Sequence, residues 1–414
     1  MEILHSRCAG LDLSKKDAKV CVRVVPPGRV RAVETVTTWS SMTGDILALR
    51  NHLAAAEVTC VVMEATGDYW KPFYYLLEDL PGVEVMLVNA HEAKNLPGRK
   101  TDVSDAAWLA QLGAHGLLRA SFVPPPPIRE LRDLTRTRTA ITRERIREAQ
   151  RLEKVLEDAG VKLSVVASDI TGVSGRAILH ALAAGERDPR VLAELSVRQL
   201  RSKIPTLTQA LTGRFTPHHG FLVELHLRLI DQHTAAIDAL TSRIEDAMAP
   251  FRATRELLCT IPGIGVATAD VIIAETGGDM TVFPTAGHLA SWAGVCPGHH
   301  ESAGRAKSGK TRPGNRHLKG ALGASALSIA RHNGTFLHAK YCRLAKSRGE
   351  QKAIVAIEHA LLVIVWTMLT TGTLYDDPGP DYYTRRDPER ARKNAIRQLE
   401  RLGYDVAIHQ REAA

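Results

Sequence analysis

The chain has 414 residues, 44% hydrophobic and 24% charged, with 54 Lys and Arg against 45 Asp and Glu for a net charge of +9. At about 150 residues per domain this predicts about two to three domains with sizeable cores, and it excludes wholesale disorder. The six cysteines are scattered without a Cys-x-x-Cys pair, which excludes a disulfide scaffold and a ribbon-type zinc module and points to a reduced cytosolic chain. The N-terminus lacks the apolar core of a signal peptide. The longest apolar run, Ala360 to Trp366, is too short for a bilayer, which needs about 20 residues. A basic excess favours polyanionic partners, whereas 5% aromatics argue against an array of base-stacking platforms.

In chain order, Cys8–Leu13, Ala18–Val25 and Val30–Trp39 are β-branched or apolar runs broken by Lys15-Lys16-Asp17 and Pro26-Pro27-Gly28. They predict an antiparallel meander. Ile46, Leu49 and Leu53 mark a helix, Val58–Met63 a buried strand, Trp70–Leu80 a helix, Val83–Val88 a strand and Val103–Leu117 a helix. The order βββαβαβα predicts an α/β domain over 1–124, a mixed sheet with helices on its faces. The prolines Pro124–Pro127 set the boundary. Residues 125–250 follow as a long-helix region, with helices over 128–158 and 219–248. They pair either as an antiparallel coiled coil or as amphipathic bundle helices. Residues 251–372 predict a compact helical domain, and 373–414 a charged, partly ordered tail.

Asp12 ends the first strand and Glu64 the fourth, while Asp102 and Asp105 sit three apart at the start of a helix, on one face. Each acid alone reads more readily as a turn or capping residue. As a set they match a ribonuclease-H-like layout, in which converging carboxylates hold a hard divalent cation for phosphoryl transfer.

In the C-terminal half, Ile261-Pro262-Gly263-Ile264-Gly265 joins two helical segments. It is either a helix–hairpin–helix turn whose amides meet a phosphate or an αα-hairpin with glycines for close packing. Residues 305–319 carry Arg305, Lys307, Lys310, Arg312, Arg316 and Lys319 with no acid, and Gly304, Gly309 and Gly314 predict flexibility. Such a loop suits a phosphate backbone, as do the arginines of the 129–151 helix. Residues 304–311 fit the P-loop pattern letter for letter, but Pro297–Ser302 before them is not a strand, and Arg312-Pro313-Gly314 cannot continue a helix. From spacing alone Ser302 reads as a turn serine, and Cys296, His299 and His300 lack a fourth zinc ligand.

These motifs together resemble the DEDD transposases of the insertion-sequence 110 family, recombinases guided by a bridge RNA. The matching residues are Gly-Leu-Asp-Leu-Ser-Lys at 10–15, Met-Glu-Ala-Thr-Gly at 63–67, Lys-Thr-Asp-Val-Ser-Asp-Ala at 100–106, Ile-Pro-Gly-Ile-Gly at 261–265, Ala-Gly-Val-Cys-Pro-Gly at 293–298, Glu-Ser-Ala-Gly at 301–304 and Gly-Asn-Arg at 314–316. The resemblance covers most of residues 1–370. It implies a RuvC-like fold with Asp12, Glu64, Asp102 and Asp105 on Mg²⁺, or Mn²⁺ in its place, and Ser302 as the nucleophile that forms a phosphoserine link to DNA. It further implies double-stranded donor and target DNA, a non-coding bridge RNA, a dimer or dimer of dimers with a site shared between subunits, and a place at the nucleoid in the bacterial cytosol. Contacts to nucleic acid would fall on Gly263, Gly265, Asn315 and the basic residues of 305–319. Pro313 stands where lysine is common in the family, and Lys319 where arginine is common. The rival reading is a RuvC-like nuclease or junction resolvase that uses water, with Ser302 structural. A nucleic-acid-binding scaffold without chemistry is a third.

Overall fold

The computed structural model describes residues 3–28, 31–90, 93, 104–298, 301–306 and 309–408, with the backbone alone at Ser302 and Ala306. The chain divides into two compact units, Met1–Val123 and Pro124–Ala414.

In the first unit the meander is β1 (Arg7–Leu13), β2 (Asp17–Val24) and β3 (Val33–Ser40). It is followed by α1 (Thr43–Ala55), β4 (Cys60–Glu64), α2 (Trp70–Leu77), β5 (Glu84–Val88) and α3 (Asp105–Ala114). The sheet order is β3-β2-β1-β4-β5, antiparallel on the β3 side and parallel from β1 to β5. Alternation along β1 and β4 sorts the two faces. Ala9, Leu11, Val61 and Met63 join Leu49, Leu53, Phe73 and Leu77 under α1 and α2. Cys8, Cys60 and Val62 pack instead against Trp108, Leu109 and Leu112 of α3. Gly10 makes that second contact possible: a Cβ there would lie 2.1 Å from the Ala106 carbonyl oxygen and 2.4 Å from the Ala110 nitrogen. Ser104 caps α3, its hydroxyl accepting from the Ala107 amide at 3.2 Å.

The second unit begins with α4 (Pro126–Asp158), whose first turn holds Pro126 and Pro127. A proline there loses no helical hydrogen bond, so the proline run starts the helix rather than merely preceding it. Next come α5 (Leu163–Val166), α6 (Val173–Ala183), α7 (Pro189–Glu194), α8 (Ile204–Ala210) and α9 (Pro217–Ala247). Helices α4 and α9 run antiparallel: Asp158 meets His219 at 2.8 Å and Glu148 meets His226 at 2.9 Å. The short helices close the hairpin, sharing a core with Leu152, Leu156, Val223, Leu227 and Ile230. That core buries Val223, Leu227 and Ile230 of α9, whereas Leu222 and Leu225 on the same helix are half-buried.

The remaining elements are α10 (Arg252–Cys259), α11 (Val266–Thr276), α12 (Ala286–Ala293), β6 (Glu301–Ser302), β7 (Arg305–Ala306), α13 (Arg316–Arg331), α14 (Phe336–Arg348), α15 (Glu350–Thr371), α16 (Tyr382–Arg386) and α17 (Pro388–Arg401). By length and composition α15 could cross a membrane. Here it buries Ile357, Leu361, Leu362 and Val365, and Trp366 Nε1 donates to the Phe283 carbonyl at 2.8 Å. The segment after α15 is fastened to α14, with Asp377 accepting from the Phe336 amide at 2.9 Å and the Phe336 ring 4.8 Å from that of Tyr382.

Candidate functional site

Asp12 and Glu64 share one face of the first unit's sheet. Asp12 and Glu64 each stand one residue past the parallel pair Leu11 and Met63. Strand alternation turns both toward the face that α3 covers, two residues beyond Gly10 and Val62. Asp105 is the first residue of α3, where its carboxylate also complements the helix N-terminus. All three carboxylates are half-buried. Thr66 donates its hydroxyl to Glu64 Oε1 at 3.4 Å from the turn that follows β4. Lys19, exposed and directly opposite Asp12 across the β1–β2 pair, puts a cation on the same face. Sequence reading passes over it, although its spacing from Cys21, which packs on Ala106 and Ala110, carries the signal. Asp102 lies outside the described residues. The helix cap that the sequence alone would allow Asp102 to supply belongs to Ser104.

Carboxylate oxygens on three elements are hard donors, the chemistry a divalent cation such as Mg²⁺ takes. Among the described residues no group of three or more His, Cys, Asp or Glu closes into a metal site.

In the second unit the basic glycine-rich segment is shaped rather than loose. β6 and β7 form a hairpin with Ser302 paired to Arg305. Its two central residues, Ala303 and Gly304, have φ of +51° and +72°, the sign pattern of a type I′ turn. Ser302 therefore sits beside an alanine held in a left-handed conformation that costs an L-residue about 1–2 kcal/mol. An isolated bridge joins Pro297 to Thr311. The glycines serve close approach: a Cβ on Gly309 would be 2.2 Å from the Gly298 oxygen, and one on Gly314 would be 2.4 Å from the Gly294 nitrogen. The stretch that matches the P-loop letters thus starts at a hairpin tip, not between a strand and a helix.

Two family models match the chain: one described as a transposase, the DEDD type of IS110, over residues 9–161, and one described as transposase of the IS116/IS110/IS902 family over residues 255–342. The chain belongs to the IS110 family of transposases. Similar proteins include an uncharacterized 43.6 kDa protein of insertion element IS110 from Streptomyces coelicolor, 36% identical over 128 residues, 30% of this chain and 31% of that one. A 42 kDa protein of insertion element IS900 from Mycobacterium paratuberculosis is 29% identical over 309 residues, 69% of this chain and 75% of its own length. A pilin gene-inverting protein from Moraxella bovis is 32% identical over 124 residues, 29% of this chain and 38% of that protein. The matched stretch thus spans less than half the length of the first and third. The matched DEDD domain implies a divalent metal ion, and the donor chemistry of Asp12, Glu64 and Asp105 fits one.

The family's motif residues in the second unit divide by what they touch. Gly263, at φ +84°, lies where a Cβ would be 2.6 Å from Ile329, so it serves packing, whereas the space around Gly265, the N-cap of α11, is open. Asn315 has its side chain committed: Oδ1 accepts from the His317 and Leu318 amides, and Nδ2 donates to Glu275 at 2.6 Å. Lys319 donates to the Gly294 carbonyl at 3.0 Å and to Thr311 at 2.6 Å, bracing the segment below the hairpin. Arg305, Lys310, Arg312 and Arg316 are exposed. Lys307, His299 and His300 lie outside the described residues.

The arginines of the 129–151 stretch are largely taken by protein. Arg132 and Arg136 bind Glu275, Arg138 binds Asp270 at 2.9 Å, Arg129 donates to the Pro124 carbonyl, and Arg147 and Arg151 pair with Glu144 and Glu148. The broad basic face expected of α4 is thereby reduced. Sequence reading misses Asp270 and Glu275, both with fully buried side chains. Two acids bracketing the apolar run Val271–Ala274 are the available sign. Burial would lift the Glu275 carboxyl, but the Arg136 hydrogen bonds, the Arg136 and Arg132 charges and Asn315 outweigh it and hold it below the usual range.

Proposed function

We propose that this chain is a DNA recombinase that cuts and rejoins strands for the mobility of an insertion sequence. In this reading Asp12, Glu64, Asp102 and Asp105 hold Mg²⁺, with Mn²⁺ as a substitute, and Ser302 is the nucleophile. The observation that supports it is the side-by-side placement of Asp12 and Glu64 at the carboxyl ends of adjacent parallel strands of a ribonuclease-H-like sheet, on the face packed by α3, the helix that begins with Asp105. When bound, the cation supplies the charge that polarises a phosphate and stabilises the oxygens entering and leaving it. Ser302 Oγ forms a bond to phosphorus and loses its proton. The bond from phosphorus to one deoxyribose oxygen breaks, and that oxygen gains a proton. The phosphoserine keeps the energy of the phosphodiester, so reversal rejoins a strand without ATP. The exposed Arg305, Lys310, Arg312 and Arg316 suit a phosphate backbone that they hold without reading bases. Sequence choice would pass to a bridge RNA, which pairs with donor and target DNA. The enzyme would act as a homo-oligomer at the nucleoid. A relative named for inverting a pilin gene is in keeping with site-specific rearrangement.

The test is a denaturing gel for a covalent protein–DNA adduct, formed with Mg²⁺, RNA transcribed from the element's ends and matching duplex DNA. An adduct present in the native chain and absent from Ser302→Ala carries the proposal. Cut DNA without an adduct in either protein would make water the nucleophile and the chain a resolvase-like nuclease.

A further inference from the structure

Helices α14, α16 and α17 enclose an open groove of about 870 Å³. Its walls carry Arg343 and Arg348 from α14, and Arg386 and Arg390 from the segment that follows α15. All four arginines are exposed. Asp387 also lines the groove, but its Oδ1 already accepts from the Arg390 amide at 3.0 Å as the cap of α17. Four guanidinium groups against one committed carboxylate make the groove a strong attractor of anions.

The floor of the groove tells which anion. Tyr383 lies between the Arg343 guanidinium, 4.2 Å from its ring centre, and the Phe336 ring, near-parallel at 26° and 5.8 Å away. Packing of this kind occupies the faces a nucleobase would need for stacking. A small-molecule site would enclose its ligand with a few convergent polar groups, whereas this groove is open and its arginines are spread along two walls. Fork-shaped donors on two elements of an open groove suit successive phosphates.

We propose that this groove holds the phosphodiester backbone of double-helical nucleic acid, through phosphates alone. The inference rests on the reading that the chain acts on nucleic acid. It adds a binding surface beyond residue 342, where the second family match ends.

The test is fluorescence anisotropy with three labelled probes, a duplex DNA, a hairpin RNA and a single-stranded DNA, across a salt series. It uses the Ser302→Ala chain without divalent metal, so the outcome does not depend on strand chemistry. Arg386→Gln with Arg390→Gln should lower the slope of log affinity against log salt by about 1.8 for the duplex, at about 0.9 for each phosphate no longer neutralised. Binding should weaken roughly tenfold or more at about 0.1 M salt. Arg386→Lys with Arg390→Lys should retain the slope, since charge is what the backbone counts. Arg348→Gln, on the opposite wall, should lower it by about 0.9 without touching the tail. A larger loss for the duplex DNA than for the hairpin would assign the groove to DNA, and the reverse to RNA. Unchanged slopes for both helical probes in folded variants would overturn the proposal. So would a loss confined to the single strand.

Discussion

Asp12 and Glu64 stand side by side at the carboxyl ends of two parallel strands, each one residue beyond the Leu11–Met63 pair. Parallel register puts strand ends level, and alternation gives the two residues the same face, so two acids 52 positions apart in sequence become neighbours at the carboxyl ends of two central strands.

Asp12→Asn and Glu64→Gln keep side-chain size and remove a charge. Each is expected to lower strand cleavage by about a thousandfold or more, the loss of several kcal/mol of charge stabilisation, while thermal melting stays close to that of the native chain. Cleavage time courses and melting curves on the same samples decide it. Normal cleavage by either variant would remove that acid from the site.

Gly10 is where the fold and the site meet. Gly10→Ala would push a methyl group into the α3 backbone, at 2.1 Å from the Ala106 oxygen. Overpacking of this kind costs about 1–3 kcal/mol, and neither partner is a flexible side-chain end. The substitution should lower the melting temperature and, by shifting the helix that starts with Asp105, reduce cleavage in the fraction that still folds. A fully active, equally stable Gly10→Ala protein would contradict this packing.

Glu275 neutralises Arg132 and Arg136 inside the second unit, and both its oxygens are engaged. Glu275→Ala removes both acceptors of the Arg136 guanidinium and the acceptor of the Asn315 amide, while Arg132 keeps the Ala274 and Glu275 carbonyls but loses its counter-charge, and should cost about 3–5 kcal/mol, read as a lower urea midpoint. Asn315→Ala removes a helix cap as well as that amide and should cost about 1–2 kcal/mol. Removing Glu275 and Asn315 together should cost less than the sum, because they share a bond. The depressed carboxyl also sets a direction with pH. Glu275 contributes stability above the ordinary glutamate range of about 4.3, and that contribution is lost as pH falls through its lower native value.

Glu358 has the opposite sign. It lies buried in α15, with its Oε2 lacking a hydrogen-bond partner among the described residues. Burial pushes its carboxyl up, against the nearby Lys319 charge. A raised native value means that its favourable contribution is complete below the ordinary range of about 4.3 and is lost as pH rises through the native value. Glu358→Gln should therefore raise the melting temperature at pH 7, and the gain should vanish below about pH 4. A gain that persisted at low pH would mean that charge is not the cause.

Much of the first unit is legible because its signals are local. Apolar and β-branched runs mark β1 to β5 within a few residues, and Pro26-Pro27-Gly28 marks the turn between β2 and β3. The long helices of the second unit are equally plain, but their buried face is not. Val223 and Leu227 are chosen by helices folded back from residues 163–210, and apolar side chains on both flanks of α9 make more than one stripe possible.

The sequence by itself determined the order of strands and helices in the first unit, the identity of the acids at the strand ends and the family to which they belong. Those follow from residue type and spacing along the chain, and both survive without a third dimension. Only the tertiary structure decided which cations are spoken for. Arg136 reads the same in a sequence whether it faces water or a carboxylate 139 residues further on, because burial and ion pairing are properties of what folds against a side chain. For the same physical reason, the glycines of 304–314 that suggest a loose loop are fixed by backbone lying within ångströms of them or by a left-handed turn.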